Sequence, residues 1–413
     1  MIKNIIGTIS SRISIAGLGF FIALVTTWVL EAEGRGMISY FVMNMSLIVL
    51  VNNLMGGPAL VYLTPRHKKW KLLLPSYVWS VVCSAACCVL LYLTNRMEPV
   101  LLGHLFFITL INSWNADNLM VILGEERIKA HNLIALLQVV LLVVFLLLVF
   151  YFFHIQEVIW YIYGLYFSFG ISFISSTIYL LQQDGHHQSK WRDILAYLSR
   201  YGSQAQASNI IQFFNLRLTY YFILSEANLG IYANAIAITE ATWIIGKSLA
   251  TVQYSRISNT TDHAYHLKLT LRLFRTSLLL IVLAVVVLLL LPQGFYSWLF
   301  RGEEFGVIHQ LIAYLAPGTI ALGGIATISP YFSGRGIFWP SILSSFIGMF
   351  VTLGGCLYII PHYGIHGAAL TTSISYVVLS SIMMIILHRK ASFPLSELLP
   401  QVRDIKALVA MIR

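Results

Sequence analysis

The chain has 413 residues, of which 58% are hydrophobic and 10% are charged, and its mean hydropathy is +0.79. Soluble domains contain about 45–50% apolar residues, so this composition indicates an integral membrane protein. The net charge of +10 is compatible with a nucleic-acid partner. However, most of the 26 Lys and Arg residues lie in alternate loops between apolar segments, a distribution that argues against nucleic-acid binding.

Apolar runs near the length of a transmembrane helix recur along the whole chain, and each can cross a ~30 Å hydrocarbon core. The sequence predicts an all-α polytopic membrane protein with twelve transmembrane helices. The predicted spans are residues 10–30, 37–63, 72–94, 99–123, 132–153, 158–181, 203–224, 229–253, 271–292, 309–331, 339–360 and 364–387. The first run lacks a small-residue cleavage site, which indicates a retained helix rather than a signal peptide.

Span four contains the segment "INSWNADNLM", in which five polar residues interrupt an apolar run. On a helical projection Asp117 and Ser113 share one sector, whereas Asn112, Asn115 and Asn118 cover the other side. A helix that is polar nearly all round should pack inward. No basic residue lies near Asp117 in sequence, and two interpretations remain open. Either this acid binds and releases a proton during transport, or it is held by amides or paired with a distant Arg217 or Lys247.

The segment between spans six and seven, residues 182–202, divides the chain into an N-terminal six-helix lobe (1–181) and a C-terminal six-helix lobe (203–388). Within it, Trp191, Ile194 and Leu198 recur at helical spacing, which predicts a cytoplasmic helix in the membrane interface. A solvated linker is the alternative. The histidine pair His186–His187 fits a solvated loop.

Spans seven and eight carry Arg217, Glu240 and Lys247, which together with Asp117 are the ionisable residues predicted within the bilayer. Such a side chain costs at least ~2.5–3.5 kcal/mol on insertion scales, so each should face a cavity or a partner. In an antiparallel hairpin, the ~1.5 Å rise per residue places Arg217 within about 6 Å of Glu240 in depth. We therefore expect these two residues to pair, and we expect Glu240, Trp243 and Lys247 to share one helix face.

Two interpretations of this group remain open. In the first, Arg217 and Lys247 form a cationic clamp for a pyrophosphate, Glu240 positions or releases the arginine, and Trp243 is a further substrate contact. In the second, an Arg217–Glu240 bridge only stabilises its half of the protein and Lys247 extends to the inner face. Arg12, at the inner end of span one, lines an entrance or anchors the topology.

Span seven also has polar residues on two sides, because Gln204, Ser208, Gln212, Asn215 and Thr219 fall on one face and Gln206 lies opposite. This pattern predicts a central helix. Neutral donors and acceptors of this kind suit a sugar, and packing between helices is the alternative explanation.

Other features of the sequence indicate neither catalysis nor a cofactor. The four cysteines lie in apolar spans without paired spacing, and the histidines form no HExxH motif, so we predict no metal site. No glycine-rich phosphate loop occurs, and the predicted outer loops are short. The last segment, residues 389–413, places apolar residues of "QVRDIKALVAMIR" on one face and is predicted to be a cytoplasmic amphipathic tail.

The basic loops define an orientation, since they fall on one side when the N-terminus is placed inside. By the positive-inside rule both termini are predicted to be cytoplasmic. The two halves also resemble each other weakly: "YGLYFSFGISFIS" from Tyr163 matches "YGIHGAALTTSIS" from Tyr363, and "LGEERIKAHN" matches "SGRGIFWPS". Each half has six spans in the same orientation, which predicts a parallel repeat of the kind that transporters use.

Four short segments resemble the multidrug/oligosaccharidyl-lipid/polysaccharide (MOP) exporter superfamily, and most of all its polysaccharide branch, the O-antigen-type flippases. They are "EGRG" after span one, "GGPALVYLTPR" closing span two, "LGIYANAIAI" opening span eight and "YGIHGAALTTSISY" opening span twelve. The resemblance implies two six-helix bundles around a central cavity and alternating access. Related lipid II flippases usually carry fourteen spans, whereas this sequence has room for twelve.

The function that the resemblance implies is translocation of a polyprenyl-pyrophosphate-linked oligosaccharide across the bacterial cytoplasmic (inner) membrane. Its expected partners are that lipid-linked oligosaccharide, membrane lipids, H⁺ or Na⁺ as a coupling ion, and a polysaccharide polymerase. The first alternative is a cation-coupled multidrug exporter, which should depend on Asp117 or Glu240 and tolerate loss of Arg217. The second is a membrane glycosyltransferase or polymerase, which would need catalytic residues on a sizeable outer loop.

Overall fold

The computed structural model describes residues 2–181, 191–258, 262–335, 337 and 339–398. In these residues the regular structure is helical, which confirms the predicted all-α class. The α-helices of the described residues are α1 (Ile2–Asn52), α2 (Pro58–Leu63), α3 (Lys69–Leu93), α4 (Pro99–Gly124), α5 (Ile128–Leu147), α6 (Val158–Leu181), α7 (Trp191–Arg217), α8 (Glu226–Ala241), α9 (Trp243–Ser258), α10 (His263–Leu290), α11 (Gln293–Phe300), α12 (Ile308–Ile325), α13 (Ser329–Ser333), α14 (Trp339–Tyr358) and α15 (Ile360–Ala391).

Within that part of the chain, nine helical segments are long and apolar enough to cross a membrane. Twelve spans were predicted, and the difference has local causes. Spans one and two fall within one segment, Ser10–Val61. Span seven is polar along much of α7, and span eight is divided between α8 and α9, which have 16 residues each. The other predicted spans each correspond to one of the nine segments.

The chain divides into two compact units, Met1–Ile210 (unit 1) and Ile211–Arg413 (unit 2). The boundary falls inside α7, which continues through the predicted junction at residues 202 and 203. In unit 1, Ile194 and Leu198 are fully buried in an apolar cluster with residues of α2, α3 and α4, so this side of α7 packs on protein rather than on lipid. The predicted His186–His187 loop and the amphipathic helix after residue 400 lie outside the described residues.

The fourth and tenth spans are the most buried spans of their units. In α4, 61% of the most apolar window is buried, compared with 22% in α3, and the segment Glu303–Ser333, which contains α12, reaches 67%. These two segments occupy corresponding positions in the predicted repeat. A central helix in each half is therefore what the two units have in common.

Rows of serine on the neighbouring helices explain how α4 becomes central. Ser76, Ser80 and Ser84 on α3 are fully buried, as are Ser168, Ser172 and Ser176 on α6. Serines four residues apart lie on one face of a helix and allow a close approach of two backbones. In lipid, helices associate through this kind of packing and through hydrogen bonds, because the surrounding chains are as apolar as leucine.

The first hairpin of unit 1 contains two backbone irregularities. Glu31 has φ of 57° and ψ of −167°, which bends α1 where an outer loop was predicted. After α1 ends, a short turn leads to Gly57, whose φ of 54° and ψ of −131° suit glycine, and Pro58 then opens α2. Proline is favoured at the first helical position because its missing N–H has no intrahelical partner there.

Substitution of Gly57 by alanine is expected to lower the stability of unit 1 by about 1–3 kcal/mol, because a Cβ is strained at these backbone angles. The new Cβ would also lie 3.0 Å from Gln206 Nε2. The measurement is the thermal midpoint of the purified protein, followed by size-exclusion chromatography after heating. The control is Gly103→Ala in α4, where a Cβ meets nothing within 4 Å. Equal midpoints for the two variants would contradict the assigned strain.

Candidate functional site

The polar residues of α4 lie inside unit 1, as the sequence predicted. Ser113, Asn115, Asp117 and Asn118 are each at most 2% exposed. Each of them hydrogen-bonds to a neighbouring helix or to the turn that follows α1. A buried polar group without a partner costs free energy, so these contacts determine whether the helix is tolerated in its place.

The first contact joins α4 to α1. Asn52, the last residue of α1, donates from Nδ2 to Ser113 Oγ at 2.8 Å and to Ser84 Oγ of α3 at 3.0 Å. One amide therefore connects three helices. This contact lies at the point where α1 ends and the glycine turn begins.

The second contact joins α4 to α3, α5 and α6. Asn115 donates to Gln138 Oε1 of α5 at 2.8 Å and accepts from Ser176 Oγ of α6 at 2.9 Å. Asn118 donates to Ser176 Oγ at 3.0 Å and accepts from the Tyr77 hydroxyl of α3 at 2.5 Å. The amides of Asn115 and Asn118 thus act as interhelical contacts.

Asp117 lies between these residues on α4 and binds the turn that separates α1 from α2. Its Oδ2 accepts a hydrogen bond from Ser76 Oγ at 2.5 Å, and the backbone N–H of Gly57 donates another. A Cβ on Gly56 would collide with the carboxylate, so glycine is required for this approach. In the ion pairs formed by described residues the acids are Glu125 and Glu240, so Asp117 has a hydroxyl and an amide as partners in place of a cation.

In unit 2, Arg217 and Glu240 form the predicted pair. Arg217 is the last residue of α7, and its Nη1 and Nη2 donate to the two carboxylate oxygens of Glu240 at 2.5 and 2.8 Å. Both side chains are 24% exposed, so the pair is only partly buried. The guanidinium also lies 5.5 Å from the centre of the Tyr220 ring. The pairing that the hairpin geometry predicted is confirmed.

Aromatic residues surround this pair. Tyr376 of α15 interacts electrostatically with both Glu240 and Arg217, and its ring is 5.6 Å from that of Trp243. Its hydroxyl is buried and has no hydrogen-bond partner among the described residues. Trp243 is 5% exposed and donates from Nε1 to the carbonyl of Thr319 at 3.3 Å.

Glu240 belongs to a different helix from Trp243 and Lys247, whereas the sequence predicts one helix for all three. α8 ends at Ala241 and α9 begins at Trp243, so the acid and the other two residues belong to different helices. The hydroxyl of Thr242 donates to the carbonyl of Thr239 at 2.6 Å, and such side-chain bonds compete with the helical ladder. Lys247 remains on α9, with its Nζ 5.7 Å from the centre of the Trp243 ring.

The predicted site residues are thus divided between the units. Arg12, which is exposed near the start of α1, and Asp117 belong to unit 1. Arg217, Glu240, Trp243 and Lys247 belong to unit 2. In the described part of the chain no group of three or more His, Cys, Asp or Glu side chains is arranged to hold a metal ion, and the four cysteines are free thiols.

Two buried contacts are not predicted from the sequence. Ser76 is the hydroxyl partner of Asp117, and the spacing of Ser76, Ser80 and Ser84 in an apolar helix is a signal that identifies this inward face. Asn215 of α7 accepts from Thr352 Oγ1 at 2.9 Å and from Ser375 Oγ at 2.5 Å. That amide therefore joins α7 to α14 and α15, as packing contacts do.

The comparisons with known proteins divide into sequence and structure. No protein family model matches the chain, and no curated protein sequence shows significant similarity to it. Similarity appears only when the folds are compared, and it then extends over nearly the whole chain.

Three solved structures illustrate the similarity. An inward-facing multidrug resistance MATE family transporter of the MOP superfamily has a TM-score of 0.72 at 16% identity, covering 93% of this chain and 98% of that one. The lipid II flippase MurJ, in an inward closed conformation, has a TM-score of 0.70 at 16% identity and covers 96% and 89%. A MOP superfamily transporter from Pyrococcus furiosus Vc1 has a TM-score of 0.57 at 15% identity and covers 94% and 96%. The chain therefore has the fold of MOP superfamily transporters.

Proposed function

We propose that this protein is a flippase that moves a polyprenyl-pyrophosphate-linked oligosaccharide from the inner to the outer leaflet of the bacterial cytoplasmic membrane. The substrate is the repeat unit of an O-antigen or a related surface polysaccharide. Both termini are cytoplasmic, and transport proceeds by alternating access. The bidentate Arg217–Glu240 pair is the observation that carries this proposal.

The pair is suited to exchange with a pyrophosphate. A guanidinium whose two terminal nitrogens already meet two acid oxygens can meet two phosphate oxygens in the same geometry. Because Arg217 and Glu240 are each 24% exposed, a ligand can reach them. The Tyr376 hydroxyl, which has no partner among the described residues, supplies a further donor beside the pair. Lys247 provides a second positive charge and Trp243 an apolar contact.

Asp117 is the proposed coupling residue, with H⁺ or Na⁺ as the ion. Hydrogen bonds to a charged carboxylate are about twice as strong as those between neutral groups. Neutralising Asp117 therefore weakens its hydrogen bonds to Ser76 and to the N–H of Gly57. Gly57 lies in the turn between α1 and α2. When an ion neutralises Asp117, the turn between α1 and α2 is therefore held less tightly to α4. Arg12 contributes to the inner entrance.

The alternative function is a cation-coupled multidrug exporter of the same superfamily, and it has specific support. One similar structure is described as a multidrug resistance transporter and another as a lipid II flippase, so the shared fold favours neither substrate. The carboxylates of Asp117 and Glu240 would attract a cationic drug. A polysaccharide polymerase is a proposed partner of the flippase only.

The test uses proteoliposomes that contain a fluorescent polyprenyl-pyrophosphate oligosaccharide in both leaflets. A glycosidase that cannot cross the membrane digests the outer pool. With the active flippase, the inner pool is expected to become digestible as well. A parallel assay follows ethidium accumulation in the same vesicles under an imposed ion gradient. Ethidium accumulation together with a protected inner pool would establish the exporter and overturn the flippase.

A further inference from the structure

A small array of aromatic rings lies near one end of unit 1. The ring of His104 on α4 is 5.8 Å from that of Tyr166 on α6, edge to face, and its Nδ1 is 3.3 Å from the Tyr166 hydroxyl. Tyr163 is 6.0 Å from His104, and Trp160 is 5.5 Å from Tyr163. Tyr163 is 41% exposed, so this array reaches the surface of the unit.

Unit 2 contains the same kind of contact. The ring of Tyr314 on α12 is 5.8 Å from that of His366 on α15, again edge to face. The Nε2 of His366 lies 3.1 Å from the side-chain oxygen of Gln310. Tyr314 is 45% exposed, and Tyr363 nearby on α15 is 67% exposed.

The two contacts occupy corresponding positions of the repeat. Aligning the Tyr-Gly starts at Tyr163 and Tyr363 places Tyr166 opposite His366, each three residues further on. Aligning Gly124 with Gly334, which are 334 − 124 = 210 residues apart, places His104 opposite Tyr314, since 314 − 104 is also 210. The imidazole and the phenol have exchanged helices while their 5.8 Å contact is the same. What both halves retain is therefore the pair of side chains.

Two simpler explanations do not account for this pair. An interfacial aromatic belt uses Trp and Tyr as single anchors, and it requires neither histidine nor a contact between two helices. Buried helix packing does not require the 45% exposure of Tyr314, or the 41% exposure of Tyr163, which contacts His104 beside the unit 1 pair. Exposed aromatic faces beside uncharged donors and acceptors are the lining that binds the apolar faces and the hydroxyls of sugars.

We propose that these two clusters are carbohydrate-binding subsites at the outer ends of the units, where they hold sugar rings of the substrate as it leaves. The positive-inside orientation assigns these ends of α4, α6, α12 and α15 to the outer face. The ligand is the glycan portion of the substrate, without its pyrophosphate or lipid. In this respect the inference rests on the proposed flippase function.

The test is saturation-transfer difference NMR on the full-length protein in lipid nanodiscs. The probe is the water-soluble oligosaccharide that mild acid releases from the lipid-linked repeat units of cells that make the protein. Saturation is expected on ring C–H protons of the probe. The double variant Tyr163→Leu with Tyr314→Leu is expected to weaken this signal about tenfold, because each lost aromatic contact is worth about 0.5–1.5 kcal/mol, a roughly twofold to tenfold effect on binding.

The control variant is Phe152→Leu, which removes a 72% exposed aromatic ring from a position outside both clusters and should leave the signal unchanged. If the tyrosine variant is not monodisperse, His104→Gln with His366→Gln replaces it, with the same expected loss. Absence of saturation with the wild-type protein, or an equal signal in the wild type and the double variant, would overturn the proposal.

Failure of the proposed flippase function gives a different result. The probe carries no phosphate, so its binding should not depend on Arg217. If an Arg217 variant loses translocation but still binds the probe, the defect lies in the phosphate clamp and not in the outer subsites. If the tyrosine variant, in which Arg217 is unchanged, loses probe binding, the defect lies in the outer subsites and not in the clamp.

Discussion

Replacing Arg217 by alanine is expected to slow oligosaccharide-lipid translocation by about a hundredfold, since two charge-assisted hydrogen bonds to phosphate are worth about 3 kcal/mol together. Arg217→Lys should be nearly as slow, because an ammonium group lacks the planar fork that binds two oxygens. The measurement is the rate at which the inner-leaflet pool becomes accessible to external glycosidase. In cells, lipid-linked repeat units should accumulate in the inner leaflet.

A double variant separates the clamp from a purely structural bridge. Arg217→Ala alone leaves Glu240 without its partner, which destabilises unit 2 under either interpretation. Arg217→Ala with Glu240→Ala removes both charges of the pair. If the pair is only structural, this variant should transport like the wild type; if Arg217 binds pyrophosphate, it should stay inactive. Matched removal of another ion pair, Lys69→Ala with Glu125→Ala, should preserve transport.

Asp117→Asn is expected to remove the dependence of transport on an imposed ion gradient, lowering gradient-driven transport about tenfold, a loss equivalent to about 1.4 kcal/mol of coupling free energy. The amide oxygen of asparagine can still accept from the N–H of Gly57 while its Nδ2 donates to Ser76 Oγ, so the fold should be retained. The measurement compares transport with and without a proton or sodium gradient across proteoliposomes. A purely structural carboxylate predicts unchanged coupling in this variant.

The control for Asp117 is Asn115→Asp in the same helix, which adds an acid two residues away without altering the Gly57 contact. Asn115 accepts from Ser176 Oγ, and a carboxylate can accept the same bond. It loses the donor to Gln138, so a modest drop in thermal midpoint is expected. If Asn115→Asp abolishes coupling as strongly as Asp117→Asn, the loss of coupling is caused by disruption of α4 and not by removal of the Asp117 charge.

Burial and pairing were predictable where the geometry of regular helices alone sets the positions of the residues. The polar residues of α4 surround its axis, and a helix of that kind cannot face lipid, so its burial followed from periodicity alone. Arg217 and Glu240 lie at comparable depths of two consecutive segments, so their pairing followed from the helical rise. In both cases the cost of an unpaired polar group in lipid leaves few arrangements.

The predictions that differ from the structure concern where helices begin and end. The break between α8 and α9 depends on side-chain bonds of Thr239 and Thr242 to backbone carbonyls, which hydropathy does not register. Glu31 bends α1 without proline or glycine at that position. The role of Ser76 depends on a tertiary contact with Asp117, since a serine in an apolar helix carries no charge to signal it.

The hydrogen bonds of α4 also have a consequence for how the protein is made. Among the nine candidate spans of the described residues, α4 has the lowest mean hydropathy, and it contains an acid. An acid near the centre of a lone helix opposes its entry into the bilayer by about 2.5–3.5 kcal/mol. Ser76 and Tyr77, which bond to Asp117 and Asn118 of α4, lie on α3, which the ribosome completes first. We therefore expect α3 and α4 to leave the translocon together as one hairpin. The hydroxyl groups of α3 would then hydrogen-bond the polar residues of α4 before any other helix reaches them.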